Sequence, residues 1–192
     1  VNQVKKSVVK IVVYNKSGVG LVTGYAISTD GLVATAQHVI EHAELTIVWL
    51  HDGSSHPAIV VASDVGTDTA LLHIDAMLTP VQFRNSNTLR LGEAVFILGH
   101  PLDLTYSLSV GVISGLHRKT HDKTEHGDFV QVNLSANPGN SGGPVFDKNG
   151  FVVGVMTRMV LTRLGPSGYG LAVSSNAVQS TLNRFVSQRQ PQ

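Results

Sequence analysis

Asn137-Pro138-Gly139-Asn140-Ser141-Gly142-Gly143-Pro144 sets a serine among glycines, in a loop that runs into an apolar, strand-like segment. A serine hydroxyl is a weak nucleophile unless one group removes its proton and another receives the charge it creates. Glycines on both sides let the backbone turn sharply and aim two amide N–H groups into one small space. Taken alone, such a turn can also cradle a phosphate. Upstream, His38 stands in Thr35-Ala36-Gln37-His38-Val39 and Asp68 in Asp68-Thr69-Ala70-Leu71-Leu72. Each is ambiguous by itself: the chain has nine histidines, and Asp64 and Asp75 rival Asp68. Together, histidine, aspartate and serine in that order are the parts of a catalytic triad. One lies in the first half, one at its far end and one in the second half, which puts a site in a cleft between two halves of the fold.

The bulk composition narrows the class. Of 192 residues, 42% are hydrophobic and only 14% charged, which argues for a well-buried interior and against disorder. Abundant valine leans the fold to β. A net charge of +1 gives no polyanion-binding surface, so nucleic acid is not expected as a partner. The absence of cysteine excludes disulfides, a thiol nucleophile and thiolate metal sites. No apolar run is long enough for a membrane helix, and Val1 to Lys6 lacks the apolar core of a signal peptide.

Hydrophobic alternation and turn signals predict six strands in the first half: Ser7 to Tyr14, Val19 to Ser28, Leu32 to Thr35, Leu45 to Leu50, Ala58 to Ala62 and Ala70 to Ile74. Asp30-Gly31 and Asp52-Gly53 supply turns, and the stretch after His38 suggests one helical turn. Residues 76 to 92, with Pro80, Asn85 and Gly92, read as a connection. Six further strands follow: Ala94 to Leu98, Thr105 to Leu116, Asp128 to Leu134, Gly143 to Phe146, Phe151 to Thr157 and Tyr169 to Val173. Short strands at regular spacing imply an all-β sandwich or barrel. Only the end reads as helix, capped by Ser174 or Ser175, with Val178, Leu182, Phe185 and Val186 on one face.

Five segments carry a resemblance over nearly the whole chain: TAQHV at 35–39, DTALL at 68–72, LRLGEAVFILGHP at 89–101, SVGVISGL at 109–116 and NPGNSGGPV at 137–145. With Asp68 30 positions after His38 and Ser141 73 positions after Asp68, the sequence resembles the trypsin-like serine proteases of the HtrA/Deg branch. The resemblance implies a single domain of two six-stranded antiparallel β-barrels, about 1–80 and 93–174, with a C-terminal helix at 175–187. It implies a serine endopeptidase without cofactor or metal. Ser141 would attack the scissile carbonyl, His38 would carry the proton, and Asp68 would orient the imidazole. The N–H groups of Gly139 and Ser141 would form the oxyanion hole.

The resemblance also places Ala136, Met159, Val160 and Tyr169 around the specificity pocket. No aspartate stands where a pocket for Lys or Arg would need one, so small to medium apolar residues are expected before the cut. Arg158 and Arg163 suggest an acidic preference at neighbouring subsites as a variant. Against the branch, no PDZ segment follows the helix, the Asn15 to Val19 loop is short, and an aromatic N-terminal segment is missing. These departures favour a monomer, with a trimer as the rival. His100 stands where the branch usually has Asn, and no role is assigned to it.

His117, His121 and His126, with Asp122, Glu125 and Asp128, have ligand types suited to zinc, but Arg118, Lys119 and Lys123 among them oppose a cation and favour a solvated loop. The expected partners are protein or peptide substrates in unfolded or flexible segments, added as a strand beside the pocket. The rival reading is a binding or holdase module whose triad stays latent until a partner orders the oxyanion loop. A processing protease with few substrates is a third. Family analogy puts the protein outside the cytoplasm.

Overall fold

The computed structural model describes residues 1–101, 104–119, 128–134, 137–162 and 165–189. A single turn of helix, α1 (Asn2–Lys5), precedes seven strands: β1 (Val8–Asn15), β2 (Gly18–Ala26), β3 (Leu32–Thr35), β4 (Leu45–Trp49), β5 (Ser55–Pro57), β6 (Ile59–Asp64) and β7 (Thr69–His73). They form one antiparallel sheet in the order β5-β4-β1-β2-β3-β7-β6. Its two edge strands are consecutive stretches of chain parted only by Ala58, whose N–H donates to Thr46 at 2.9 Å. The sheet therefore curls until its edges meet in one bent segment. Counted as that segment, β5 and β6 make the expected six strands. Inside lie Val9, Ile11, Val13, Val33, Val48 and Leu72, all at most 2% exposed.

The second half supplies β8 (Ala94–Gly99), β9 (Ser107–Arg118), β10 (Phe129–Val132), β11 (Pro144–Asp147), β12 (Val152–Thr162) and β13 (Gly165–Ser174). These close a six-stranded antiparallel barrel in the order β10-β13-β12-β11-β8-β9. Val95, Ile97, Ile113, Val132, Val145 and Val153 fill it. The β-branched runs that predicted strands supply these inward faces, where branched side chains pack well on a pleated surface. Pairing of β12 with β13 continues from Gly154↔Ser174 to Thr162↔Gly165, well past the expected end at Thr157.

Between the halves, Tyr25, Leu32, Ala34 and Leu71 of the first sheet pack with Phe129, Val155 and Val173 of the second barrel. Helix α2 (Ser175–Arg189) lies over this joint through Val178, Leu182 and Phe185. Val186, expected on the same stripe, is 38% exposed, because that stripe already drifts off the contact by the last turn. Ser175 does not cap the helix with its hydroxyl; it donates to the Arg84 carbonyl at 2.6 Å and ties the helix start to the connecting segment.

Candidate active site

Strand β3, buried at all four residues, ends at Thr35. Ala36 is extended, and Gln37–Val39 then makes one 3₁₀ turn that presents His38 at the surface. Across from it, the turn after β6 closes with Asp68 N–H on Val65 at 3.2 Å and leaves Asp68 at φ 46°. That left-handed conformation is one that Asp tolerates better than most residues. It brings Asp68 onto the 3₁₀ turn three times over. The Asp68 carbonyl accepts from Gln37 N at 3.1 Å, and its Oδ1 accepts from His38 N at 2.9 Å. The carboxylate also spans His38 Nδ1, at 2.8 Å for Oδ2 and 3.0 Å for Oδ1. A proton on Nδ1 makes Nε2 the basic nitrogen of this ring.

Thr157 on β12 donates its hydroxyl to Asp68 Oδ2 from the other barrel. The carboxylate is only 11% exposed, whereas His38 is 46% exposed. Burial pushes the Asp68 carboxyl up, but the His38 ring bond, the His38 charge, the Thr157 hydroxyl and the His38 N–H together hold it below the usual carboxylate range. The rival aspartates lie elsewhere. Asp64 accepts from Thr67 and pairs with Arg184, and Asp75 is exposed.

The serine loop is built from two successive tight turns. Asn140 N–H donates to Asn137 at 3.0 Å, with Pro138 and Gly139 (φ 99°) between them. Gly143 N–H donates to Asn140 at 3.0 Å, with Ser141 and Gly142 (φ 77°) between. A third residue with positive φ, and proline second in the first turn, is the type II pattern. At Gly142 glycine is obligatory, since a Cβ would lie 2.1 Å from Thr35 Oγ1 and 2.5 Å from the Thr23 carbonyl. The loop is pinned to the second barrel by Gly142 N–H on Met156 at 2.8 Å and Met156 N–H on Gly143 at 2.9 Å. Among the described residues, neither Gly139 N–H nor Ser141 N–H donates within the chain, and Ser141 Oγ has no hydrogen-bond partner. Two amides and a hydroxyl therefore stay available at one turn.

Of the predicted pocket residues, Met159 and Val160 are half-buried on β12. Tyr169 is 42% exposed on β13, one residue before Gly170, the register partner of Met159. Ser167 Oγ donates to the Val160 carbonyl at 2.7 Å and accepts from Tyr169 N at 3.2 Å, which links the two strands there. Ala136 and Arg163 lie outside the described residues, as do His121, Asp122, Lys123, Glu125 and His126 of the histidine-rich run. His117, at φ 51°, holds Asp128 Oδ2 at 3.2 Å. Sequence reasoning missed Thr23, Thr35 and Thr157. A β-branched hydroxyl residue looks like any other strand former, and the available signal was its fall on a buried face of an otherwise apolar run.

Fold and site together define a two-barrel peptidase domain with a histidine–aspartate pair on the first half and a glycine-flanked serine loop docked against Thr23, Thr35 and Ala36 of that half. The chain belongs to the trypsin-like peptidase domain family, which matches residues 22–155. Among curated relatives, the probable periplasmic serine endoprotease DegP-like of Chlamydia trachomatis is 38% identical over 169 residues, 88% of this chain and 34% of that protein. The DegP-like protein of Pseudomonas savastanoi is 35% identical over 164 residues, 85% of this chain and 34% of that one. Among solved structures, the HtrA-type protease AlgW with tripeptide superimposes with a TM-score of 0.90 at 27% identity, covering 98% of this chain and 63% of that chain. The serine endoprotease from Yersinia pestis gives 0.84 at 29% identity, over 97% of this chain and 65% of that chain. The chain spans about a third of the length of the curated relatives it matches.

Proposed function

We propose that this chain hydrolyses peptide bonds in unfolded or flexible protein segments as a serine endopeptidase, through a His38–Asp68–Ser141 triad. The observation that carries the reading is the Asp68 carboxylate spanning His38 Nδ1, with the glycine-flanked Ser141 loop docked on the same two barrels. In the proposed reaction His38 Nε2 takes the Ser141 hydroxyl proton as Oγ attacks the scissile carbonyl. Asp68 keeps the ring in its Nδ1–H form and stabilises the imidazolium. The oxyanion falls between the Gly139 and Ser141 N–H groups, which make no competing bond among the described residues. His38 then protonates the leaving amine, and water repeats the sequence on the acyl-enzyme. The resemblance assigns the pocket to Ala136, Met159, Val160 and Tyr169, a set without a charged side chain, which supports cleavage after small to medium apolar residues. The periplasmic names of the relatives support an extracytoplasmic location by analogy.

Among the described residues Ser141 Oγ has no hydrogen-bond partner, which favours a latent holdase. Such bonds commonly tighten only once substrate is bound, so the open geometry is compatible with activity. Casein cleavage and fluorophosphonate labelling of wild type and Ser141→Ala test both readings. The peptidase reading expects cleavage and labelling in the wild type and neither in the variant. A folded wild type that neither cleaves nor labels would favour latency.

A further inference from the structure

We propose that Thr23 is a positioning residue that sets the oxyanion loop from the opposite barrel; this deepens, and rests on, the serine-peptidase reading above. Strand β2 pairs with β3 only at Tyr25↔Ala34 and Ala26↔Val33. Two residues earlier, Thr23 keeps its β1 partner Lys10, but its other edge has no strand beside it. The serine loop takes that place. Thr23 N–H donates to the Ser141 carbonyl at 3.1 Å, and the Thr23 carbonyl accepts from Thr35 Oγ1 at 2.9 Å. Its own hydroxyl donates to the Gly139 carbonyl at 2.6 Å and accepts from His100 N at 3.1 Å. The residue is fully buried, so none of these bonds competes with water.

Thr23 thus grips, by their carbonyls, the same two residues whose N–H groups would receive the oxyanion. A peptide plane anchored at its oxygen leaves only the torsions of that residue to decide where the preceding N–H points. At Gly139 those torsions are free, since glycine reaches both signs of φ without strain. Asn137 fixes the other end of the same peptide by accepting from Asn140 N. Thr23 and Asn137 therefore hold the Gly139–Asn140 plane from two sides, and the chain turns about a defined point. Threonine also fits by shape: its methyl carbon would lie 3.1 Å from any Cβ at Gly143, so hydroxyl and methyl both meet the loop.

The test compares wild type with Thr23→Val, which keeps the shape and removes the hydroxyl, and Thr23→Ser, which keeps the hydroxyl. Peptide hydrolysis gives kcat and KM separately, and amide hydrogen exchange reports residues 137–143 directly. In Thr23→Val, kcat should fall about 10- to 100-fold, the penalty of a slightly misplaced catalytic group, with KM little changed. Exchange at 137–143 should rise while strands β1 and β9 keep their protection. Thr23→Ser should restore most of the turnover and the loop protection. Wild-type exchange at 137–143 in Thr23→Val, or an equal rise across both barrels, overturns the proposal whatever the turnover. Should Thr23→Val not fold, Thr23→Ser decides: loop protection kept supports the clamp, and loop protection lost overturns it. If wild type and Ser141→Ala are equally silent, the peptidase reading fails, and the exchange measurement still decides the role of Thr23.

Discussion

Asp68 answers to both barrels at once. Its backbone and carboxylate hold the 3₁₀ turn of the first, while the Thr157 hydroxyl reaches it from the second. Those donors outweigh the burial that would otherwise keep the proton on, so the folded carboxyl lies below its ordinary value of about 3.9. The sign of the pH effect follows. A depressed carboxylate contributes stability that is complete above the unfolded value and is lost as pH falls through the folded one. Thr157→Val removes one lowering contact, so the folded value rises, and the acid loss, which still begins near the unfolded value, is smaller and is complete at a higher pH. At neutral pH the variant should be about 1.5–3 kcal/mol less stable, the usual worth of a hydrogen bond to a charged group. The gap should shrink once both proteins are protonated. Acid-unfolding midpoints for wild type, Thr157→Val and Thr157→Ser check this; a gap that stays the same size below the carboxylate range would show that Thr157 acts through packing alone.

Helix α2 holds the two halves by apolar contact more than by charge. Leu182 is 4% exposed in the joint beneath it, whereas the Arg184 that pairs with Asp64 is 52% exposed on its side chain. Leu182→Ala should cost about 2–5 kcal/mol through lost contact and a residual cavity. Arg184→Ala should cost at most about 1 kcal/mol, because a solvent-screened pair gains little. Denaturant midpoints at unchanged m-value would check the order, and equal losses would contradict it. This helix was legible in the sequence because the spacing of Val178, Leu182 and Phe185 is a helical period. The strands were legible for the matching reason, their β-branched alternation. Strand β5 was not, since Ser55-His56-Pro57 has neither apolar alternation nor a full set of ladder donors. The outer half of the β12–β13 pair was missed because Gly165 and Pro166 carry turn signals inside a strand. In the site, the His38–Asp68 contact was readable from the order of the residues and from the family resemblance. The three threonines were not, because their roles depend on which strands come to face each other across the joint.

At the scale of the whole molecule, the serine loop belongs to the second barrel by sequence and to both by contact. Gly142 is where the two meet. Its N–H bonds to Met156 of β12, while the space where a side chain would stand is filled by Thr35 Oγ1, the Thr23 carbonyl and Ala36 N of the first sheet. Gly142→Ala is therefore doubly penalised. A non-glycine residue at φ 77° costs about 1–3 kcal/mol in backbone strain. A Cβ driven into backbone atoms adds a further 1–3 kcal/mol or so of overpacking. The cheapest relief is for the loop to lift off the first barrel, which would carry Ser141 away from His38 while both β-cores stay intact. Gly142→Ala should then keep a wild-type far-ultraviolet spectrum, melt at a lower temperature and label with fluorophosphonate at least about 100-fold more slowly, as expected when a reacting group is displaced by an ångström or so. Labelling at the wild-type rate in the folded variant would mean that the loop tolerates the side chain in place, and that the docking of Gly142 on the first barrel does not govern the geometry of the serine.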